Sequence, residues 1–235
     1  MKVSIIIPAY NESAVVFENM TFLDGKCKEY FDDYEIVVVS DGSTDKTREI
    51  VKEKLVPLGI VDAGYDKNRG KGGALKAGVA AASGDVIVTT DCDLAYGTEV
   101  IRQAVELLEE NPESELLIGS RSKSKDGFEG YPLLRRVASK VYFSMISIIA
   151  GIKVSDSQCG FKIYRRDAGK KLFELLETYS FAFDLEILMR ATRLGYKIAE
   201  MPVKIINHAE SKINVVKDSI RMLKDVIRIK KICKR

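Results

Sequence analysis

Short apolar runs alternate with helical stretches through the first half of the chain, and this alternation limits the possible folds most. Runs rich in Val and Ile lie at Val3–Pro8, Glu35–Ser40 and Val86–Thr90, and a weaker run lies at Leu58–Ala63. Continuous β-branched runs of this length are typical of strands that are buried on both faces of a sheet. Strands separated by helices predict an α/β protein with a single open, mostly parallel sheet and helices on both faces.

The second half of the chain is less regular. A strand is predicted at Gly160–Tyr164, helices at Asp167–Leu176 and Phe183–Leu194, and a further strand at Lys197–Ile206. Pro202 inside that last run cannot donate a hydrogen bond to a central ladder, which favours a position at the edge of the sheet. No repeat, linker or low-complexity segment divides the chain, so we expect a single domain.

The net charge of +3 conceals an uneven distribution. Residues 213–235 carry eight basic and two acidic side chains, a net charge of +6, so the first 212 residues carry −3. A slightly acidic body that ends in a basic tail points to an anionic partner, either a membrane surface or a nucleic acid. No RNA- or DNA-binding motif and no aromatic interleaving accompanies the tail, which disfavours nucleic acid.

The tail has the periodicity of an amphipathic helix. Basic residues recur every three or four positions, and an apolar stripe runs beside them. The basic stripe is Lys217, Arg221, Lys224, Arg228, Lys231 and Arg235, and the apolar stripe is Val216, Ile220, Leu223 and Ile227. Such helices bind the membrane interface. A helix that packs on the core and exposes its charged face to solvent is the competing interpretation.

We expect no transmembrane helix and no secretory signal. The longest uncharged stretch near the middle of the chain, Val141–Ile152, has 12 residues, whereas a bilayer-spanning helix needs about 20. The apolar run after Lys2 is too short for a signal peptide, so a cytoplasmic location is expected. The four cysteines lie far apart without a C-x-x-C motif, which favours free thiols over disulfides or zinc.

Four predicted strands end in polar residues that suit a ligand site. These ends are Pro8–Glu12, Ser40–Asp45, Asp91–Asp93 and Gly119–Arg121. Caps and turns favour Asp, Ser and Gly in any case, so each end by itself is consistent with an ordinary loop. In open α/β sheets, however, ligands bind beyond the carboxyl ends of the strands. Four polar ends on one edge therefore predict a functional site there.

Asp91 and Asp93 are the most informative pair at this edge. Two carboxylates that flank one residue after a buried strand repel each other unless a cation lies between them. Mg²⁺ takes one or two carboxylates together with phosphate oxygens of a substrate, so a divalent cation with a diphosphate fits this pair. The competing interpretation is that one of the two carboxylates caps the following helix.

The glycine-rich loop Asn68–Gly73 matches neither common phosphate-binding pattern. Its residue order is not that of a P-loop, and the dinucleotide fingerprint is missing after the first strand. The glycines still permit close approach of the backbone to a ligand, and Arg69 and Lys71 add positive charge. A flexible surface loop is the alternative. The single histidine, His208, does not support a catalytic triad.

These motifs resemble the family 2 glycosyltransferases, which have the GT-A fold. The resemblance covers about the first 125 residues in the family's order and rests on 5–12, 38–45, 68–74 and Asp91–Asp93. In the second half, Asp156–Lys162, Ser180–Glu186 and Ser211–Lys212 resemble the dolichyl-phosphate glucose synthases, and the dolichyl-phosphate mannose synthases are the next nearest branch.

The resemblance implies a division of the single domain 1–235 into parts. Residues 1–125 form a Rossmann-like half that binds a nucleotide diphosphate sugar, and 126–212 form an acceptor-binding half. Residues 213–235 form the basic amphipathic helix. The implied donor-binding residues are Pro8, Ala9, Tyr10, Glu12, Asp41, Arg69, Lys71, Gly72, Asp91 and Cys92.

The resemblance also implies the catalytic set. Asp91 and Asp93 would hold Mg²⁺ or Mn²⁺, and Lys212 would neutralise the departing diphosphate. Arg121, with Arg135 and Ser139, would bind the acceptor phosphate. Many family members have two acidic residues before Gly42, whereas here the first of these is Ser40. A contact that relies on that carboxylate would be absent.

The expected reaction is inverting transfer of a hexose, glucose from UDP-glucose by preference, to a polyprenyl (dolichyl) phosphate on the cytoplasmic face of a membrane. Another sugar, such as N-acetylglucosamine or the mannose of GDP-mannose, or a soluble acceptor is the alternative among enzymes. A catalytically silent nucleotide-binding subunit is the alternative of another class. The oligomeric state is not predicted.

Overall fold

The computed structural model describes residues 1–126, 150–180, 182–206 and 225–233 of the chain. Its centre is a seven-stranded sheet with the order β3-β2-β1-β4-β6-β5-β7. The strands are β1 (Val3–Ala9), β2 (Tyr34–Ser40), β3 (Val61–Asp62), β4 (Val86–Thr89), β5 (Leu116–Ser120), β6 (Lys162–Arg165) and β7 (Ile198–Pro202).

Helices cover both faces of this sheet, as the alternation of the sequence predicts. They are α1 (Val16–Tyr30), α2 (Thr47–Ile50), α3 (Lys71–Ala81), α4 (Glu99–Glu110), α5 (Arg166–Glu174), α6 (Phe183–Arg193) and α7 (225–232). A π-helical turn (Val51–Leu55) and a 3-10 turn (Val56–Leu58) extend α2. Gly59 ends this extension with φ of +93°. The third strand starts only at Val61 and has two residues, so it is shorter than the run Leu58–Ala63 that the sequence predicts.

The sheet is mixed rather than wholly parallel. Strands β1, β2, β3 and β4 pair in parallel, and so do β5 and β7. β6 runs antiparallel to both of its neighbours, β4 and β5. The expected edge position of the last strand is confirmed, because β7 pairs with β5 alone among the described strands and ends at Pro202.

Alternate residues of β1, an interior strand, enter two separate cores. Ile5 and Ile7 of β1 pack with α1 and α4, whereas Ile6 packs with α3 and α6 on the other face. This follows from the twofold periodicity of a strand and explains why the run Val3–Ala9 is apolar without alternation. All four cysteines are free and buried in these cores, which confirms the expected thiols.

The terminal helix α7 packs against the second core with one face. Val226 and Ile229 are fully buried, and Cys233 nearly so, beside the residues of α6. Arg193 at the end of α6 donates a hydrogen bond to the carbonyl of Cys233. The opposite face is open: Ile227 is 53% exposed, and Arg228, Lys230 and Lys231 are exposed beside it. The described part of the tail therefore packs on the core with one face, as the competing interpretation expects, and leaves a basic face exposed to solvent.

In the part of the chain that the structure describes, no helix combines the length and the apolar content that a bilayer span requires.

A partly buried carboxylate joins β1, β2 and the loop before β4. Glu35 accepts hydrogen bonds from the Ser4 hydroxyl at 2.5 Å and from the Ser83 backbone at 2.6 Å, and it pairs with Lys2 at 3.2 Å. Burial by itself would raise the pKa of Glu35, but the bonds from Ser4, Ser83 and Lys2 outweigh it and lower the pKa to about 2.

We predict that Glu35→Gln destabilises the fold at pH 7 and that this difference shrinks in acid. A carboxyl whose pKa is lower in the folded than in the unfolded state stabilises the fold. This contribution is fully present at a pH above the unfolded pKa, about 4.3, and is lost as the pH falls through the folded pKa, about 2. Urea unfolding of the wild type and of Glu35→Gln, at pH 7 and at pH 3, measures this difference in the free energy of unfolding. The exposed Glu109→Gln is the matched control, and a Glu35→Gln effect that is equal at both pH values would contradict the prediction.

Candidate active site

The ends of β1, β2 and β4 meet at one edge of the sheet. The backbone of Asn11 donates to the Ser43 hydroxyl at 3.2 Å, and the backbone of Glu12 donates to the Thr47 hydroxyl at 2.8 Å. The Asn19 amide reaches the Cys92 carbonyl at 2.9 Å. These bonds hold the three strand ends together and place Pro8–Glu12 beside the loops that follow β2 and β4.

The glycine-rich loop is anchored by Asp41. Both carboxylate oxygens of this buried residue accept backbone bonds, from Arg69 at 2.8 Å and from Gly70 at 2.9 Å. The Arg69 guanidinium lies 4.3 Å from the ring centroid of Tyr65. α3 begins at Lys71, so Lys71 and Gly72 lie in the first turn of a helix.

The opposite side of this loop rests on the segment before α6. Gly70 has φ of +88°, and a Cβ at this position would lie 2.6 Å from the Tyr179 carbonyl oxygen. The Gly72 backbone donates to the same carbonyl at 3.1 Å. Glycine is thus required here both for the backbone conformation and for the close approach. Sequence reasoning had no signal for this contact between distant segments.

Glu186 supports this contact from beneath and has no access to a ligand. It is fully buried and accepts bonds from the Glu177 and Thr178 backbones at 3.0 and 2.7 Å. Its third partner is the Arg190 guanidinium at 2.7 Å. These bonds account for Glu186 as a structural residue that shapes the turn before α6.

Lys71 and the two aspartates after β4 form the charged centre of the edge. The Lys71 ammonium donates to Asp91 Oδ1, and the Asp91 side chain is 32% exposed. Burial, and next the charge of Asp91, raise the pKa of Asp93. Burial, and next the charges of Asp93, Asp45 and Asp91, raise the pKa of Glu12. This edge therefore holds more negative charge than its lysine neutralises.

The donor set fits a hard divalent cation. Asp91 and Asp93 supply carboxylate oxygens, which Mg²⁺ and Mn²⁺ prefer. Within the described ranges, no group of three His, Cys, Asp or Glu side chains is placed to hold a metal. Two carboxylates leave ligand positions open for phosphate oxygens. Asp93 also accepts a bond from the Ala95 backbone at 3.1 Å, so it shapes its own turn, whereas Thr98 occupies the N-cap position of α4.

Gly160 closes the site from the second half of the chain. A Cβ at this position would lie 2.5 Å from Asp91 Oδ2 and 3.3 Å from the Lys71 Nζ. Only a glycine lets the backbone approach the Lys71–Asp91 pair so closely. The motif that contains Gly160 is visible in the sequence, but this packing role is not.

Arg121 is held at the end of β5 by a buried carboxylate. Its guanidinium forms two parallel bonds with Asp156, at 2.7 and 3.0 Å, and its backbone donates to the same residue at 3.1 Å. The Arg121 side chain is 16% exposed, whereas that of Asp156 is fully buried. Arg135, Ser139 and Lys212, the other residues implied for the acceptor and the leaving group, lie outside the described residues, as does His208.

The Glycosyl transferase family 2 model matches residues 4–173. Among curated proteins, the chain is 32% identical over 222 residues to the glycosyltransferase AglD of Haloferax volcanii. This alignment covers 93% of this chain but only 35% of AglD. The chain is 31% identical to the dolichyl-phosphate beta-glucosyltransferase of Dictyostelium discoideum, covering 90% of this chain and 68% of the relative. The chain thus spans about a third of the first relative.

Solved structures of the glucosyl-3-phosphoglycerate synthase from Mycobacterium tuberculosis share the fold. The complex with phosphoglyceric acid superposes with a TM-score of 0.71 at 20% identity, covering 97% of this chain and 79% of that one. The complex with Mn²⁺, UDP-glucose and phosphoglyceric acid superposes with a TM-score of 0.69 at 20% identity, covering 99% of this chain and 80% of that one. At this identity the likeness establishes the GT-A fold alone.

We predict that Gly160→Ala weakens Mn²⁺ binding about tenfold, because the added methyl group displaces the Asp91 carboxylate. Electron paramagnetic resonance of free Mn²⁺ measures the change. Gly25→Ala on α1 is the matched control, since nothing lies within 4 Å of its Cβ. Equal Mn²⁺ affinity of Gly160→Ala and the wild type, with both folded, would contradict the prediction.

Proposed function

The chain belongs to glycosyl transferase family 2, and from this membership we propose that it transfers glucose from UDP-glucose to a polyprenyl phosphate such as dolichyl phosphate at a membrane surface. The observation that carries the proposal is the Lys71–Asp91–Asp93 cluster, which lies at the carboxyl edge of the sheet beside the glycine-rich loop. The name of the Dictyostelium relative and the UDP-glucose of the structural neighbour support the choice of donor and acceptor.

The proposed donor site uses the three strand ends already described. Pro8, Ala9, Tyr10 and Glu12 lie at the end of β1, in the middle of the three. Asp41 and its glycine-rich loop follow β2 on one side, and Asp91–Asp93 follow β4 on the other. Arg69 and Lys71 would provide positive charge for the diphosphate. Gly72 and Cys92, which the resemblance also implies, are both buried: Gly72 packs against the Tyr179 carbonyl, and Cys92 packs in the core.

Asp91 and Asp93 would hold Mg²⁺ or Mn²⁺ on the donor diphosphate. When bound, the cation supplies positive charge where negative charge develops on the leaving group. Lys71, and Lys212 by the family resemblance, would add to this stabilisation. The residues of the chain thus serve mainly to position the donor and to hold cations near its diphosphate.

The acceptor requires positioning more than deprotonation. A phosphate monoester is largely ionised near neutrality, since its second pKa is about 6. The motifs of the second half offer two carboxylates, Asp156 and Glu186, that could act as a base on the acceptor. Both are fully buried and hydrogen-bonded to their own neighbours. Arg121, together with Arg135 and Ser139, would instead hold the phosphate, because a guanidinium matches its oxygens in a bidentate way.

We predict that Asp93→Asn abolishes transfer of radiolabelled glucose from UDP-glucose to dolichyl phosphate, whereas Asp156→Asn retains a measurable remnant. Asp93 is proposed as a cation ligand, but Asp156 only orients Arg121. Parallel assays with phytanyl phosphate, free sugars, GDP-mannose and UDP-N-acetylglucosamine test the donor and acceptor classes. Equal inactivity of the two variants would contradict the positioning role of Asp156, and transfer to free sugars alone would contradict the proposed acceptor.

We propose that α7 and the basic tail hold the enzyme against the cytoplasmic face of a membrane. The outer face of α7 combines exposed Ile227 with Arg228, Lys230 and Lys231, while its inner face is fixed to the core. An exposed apolar side chain among basic residues suits an anionic lipid surface. The acceptor phosphate would lie at that surface.

We predict that Arg228→Gln/Lys230→Gln/Lys231→Gln lowers binding to vesicles that contain anionic lipid, and that added salt weakens wild-type binding in the same direction. Removal of the whole tail is a poorer test, since Val226 and Ile229 stabilise the core. The matched control is Lys26→Gln/Lys28→Gln, which removes two lysines from the surface of α1. Lys26 is partly exposed and Lys28 is largely exposed. Unchanged sedimentation of the triple variant with vesicles would contradict the docking role.

A further inference from the structure

A buried ion pair lies next to the charged centre of the site. Lys162 on β6 has a side chain that is 1% exposed, and that of Asp184 on α6 is 8% exposed. The ammonium lies 2.5 Å from Asp184 Oδ1 and also donates to the Cys159 carbonyl. Removing two charges from water is costly, and well-packed apolar residues of similar volume often stabilise a protein at least as well. Stability alone therefore does not account for this pair.

Asp184 interacts with cations on two sides. Burial raises the pKa of Asp184, whereas the charges of Lys162 and Lys71 act in the opposite direction, and Asp91 adds to the rise. Burial would lower the pKa of Lys71, but the charges of Asp91 and Asp184 outweigh it and leave this pKa raised. Of these two carboxylates, Asp91 contacts the Lys71 ammonium directly, whereas Asp184 contacts Lys162 and acts on Lys71 through its charge at longer range.

A short stretch of backbone connects the two ion pairs. The Cys159 carbonyl binds the Lys162 ammonium. The next residue, Gly160, packs against both members of the Lys71–Asp91 pair, where a Cβ would stand 2.5 Å from Asp91 Oδ2. The positions of Lys162 and Lys71 are therefore linked through the same turn.

The order Lys162, Asp184, Lys71, Asp91 alternates in sign from the interior to the cleft. When Asp91 ligates a divalent cation, Lys71 loses this carboxylate as its counter-charge. Asp184 is then the remaining carboxylate of the series that can balance Lys71 from the protein side. A diphosphate is the group that can balance it from the cleft.

We propose that the Lys162–Asp184 pair positions Lys71 toward the donor diphosphate. Asp184 holds Lys162, and Lys162 holds the Cys159–Gly160 turn against the Lys71–Asp91 pair. The inference rests on the proposed function through the diphosphate of the donor. Asp184 acts through Lys162 and Lys71 and is a positioning residue, not a base.

The test compares a diphosphate with a monophosphate ligand. Lys162→Gln/Asp184→Asn removes both charges and keeps hydrogen-bonding groups of similar volume. In calorimetric titrations with Mn²⁺ present, we expect the Kd for UDP to rise about tenfold. The Kd for UMP should change less than about twofold, because UMP lacks the second phosphate. A general loss of structure would weaken both ligands alike.

A double-mutant cycle identifies the route through Lys71. Lys71→Met is measured in the wild type and in the Lys162→Gln/Asp184→Asn background. If Asp184 acts through Lys71, the loss of UDP affinity caused by Lys71→Met is smaller in that background. Asp184→Glu, which keeps the charge, should bind UDP more tightly than Asp184→Asn.

The control pair lies at the other end of β4, where Arg166 contacts Asp85 at 2.7 Å. Asp85→Asn/Arg166→Gln should leave UDP binding unchanged. Unchanged UDP affinity in Lys162→Gln/Asp184→Asn, equal losses for UDP and UMP, or additive effects in the cycle would each overturn the proposal.

If circular dichroism shows that the double variant is unfolded, equal UDP affinities of Asp184→Glu and Asp184→Asn overturn the proposal instead. A wild type that binds neither UDP nor GDP would overturn the proposed function, and this inference with it.

Discussion

Repulsion among carboxylates at the carboxyl edge of the sheet is the constraint around which the rest of the structure is arranged. Asp91, Asp93, Glu12 and Asp45 converge where β1, β2 and β4 end, and burial together with mutual repulsion raises the pKa values of Asp93 and Glu12. A fold that concentrates negative charge in this way must supply cations nearby. Lys71, placed at the first turn of α3, is a cation that the chain supplies there in direct contact with Asp91.

The second half of the chain completes the site that the first half begins. Gly160 packs against Asp91, and the Tyr179 carbonyl fixes the loop that carries Lys71. Glu186 in turn holds the backbone before Tyr179. The two halves of the chain are therefore not independent, since a change in the second half can move a charge in the first.

The strands and the location of the site could be predicted from the sequence because both depend on local patterns. Continuous Val and Ile runs identify buried strands, and Asp91–Asp93 directly follows one of them, so topology alone places it at the ligand-binding edge. Pro202 likewise predicts the edge strand that the structure confirms. The family resemblance, carried by the same motifs, is confirmed by the family model.

What could not be predicted depends on contacts between distant segments. The antiparallel direction of β6 has no local signature. The ion pair of Lys162 with Asp184 joins residues 22 positions apart, and Glu186 carries no sign in the sequence that its partners are backbone groups. α3 begins at Lys71, within the glycine-rich segment Asn68–Gly73 that the sequence predicts as a loop. Asp41 binds the backbone of Gly70 before the helix, and the Tyr179 carbonyl binds that of Gly72 within it.

The central claim is that the edge is completed by a divalent cation and a nucleoside diphosphate together. Lys71 competes with a cation for Asp91, and a diphosphate offers Lys71 another partner. The most direct test is the affinity of the wild type for Mn²⁺ by electron paramagnetic resonance, with and without saturating UDP. The account predicts that UDP tightens Mn²⁺ binding about tenfold or more, with the reciprocal effect of Mn²⁺ on UDP. Equal Mn²⁺ affinity with and without UDP would contradict it.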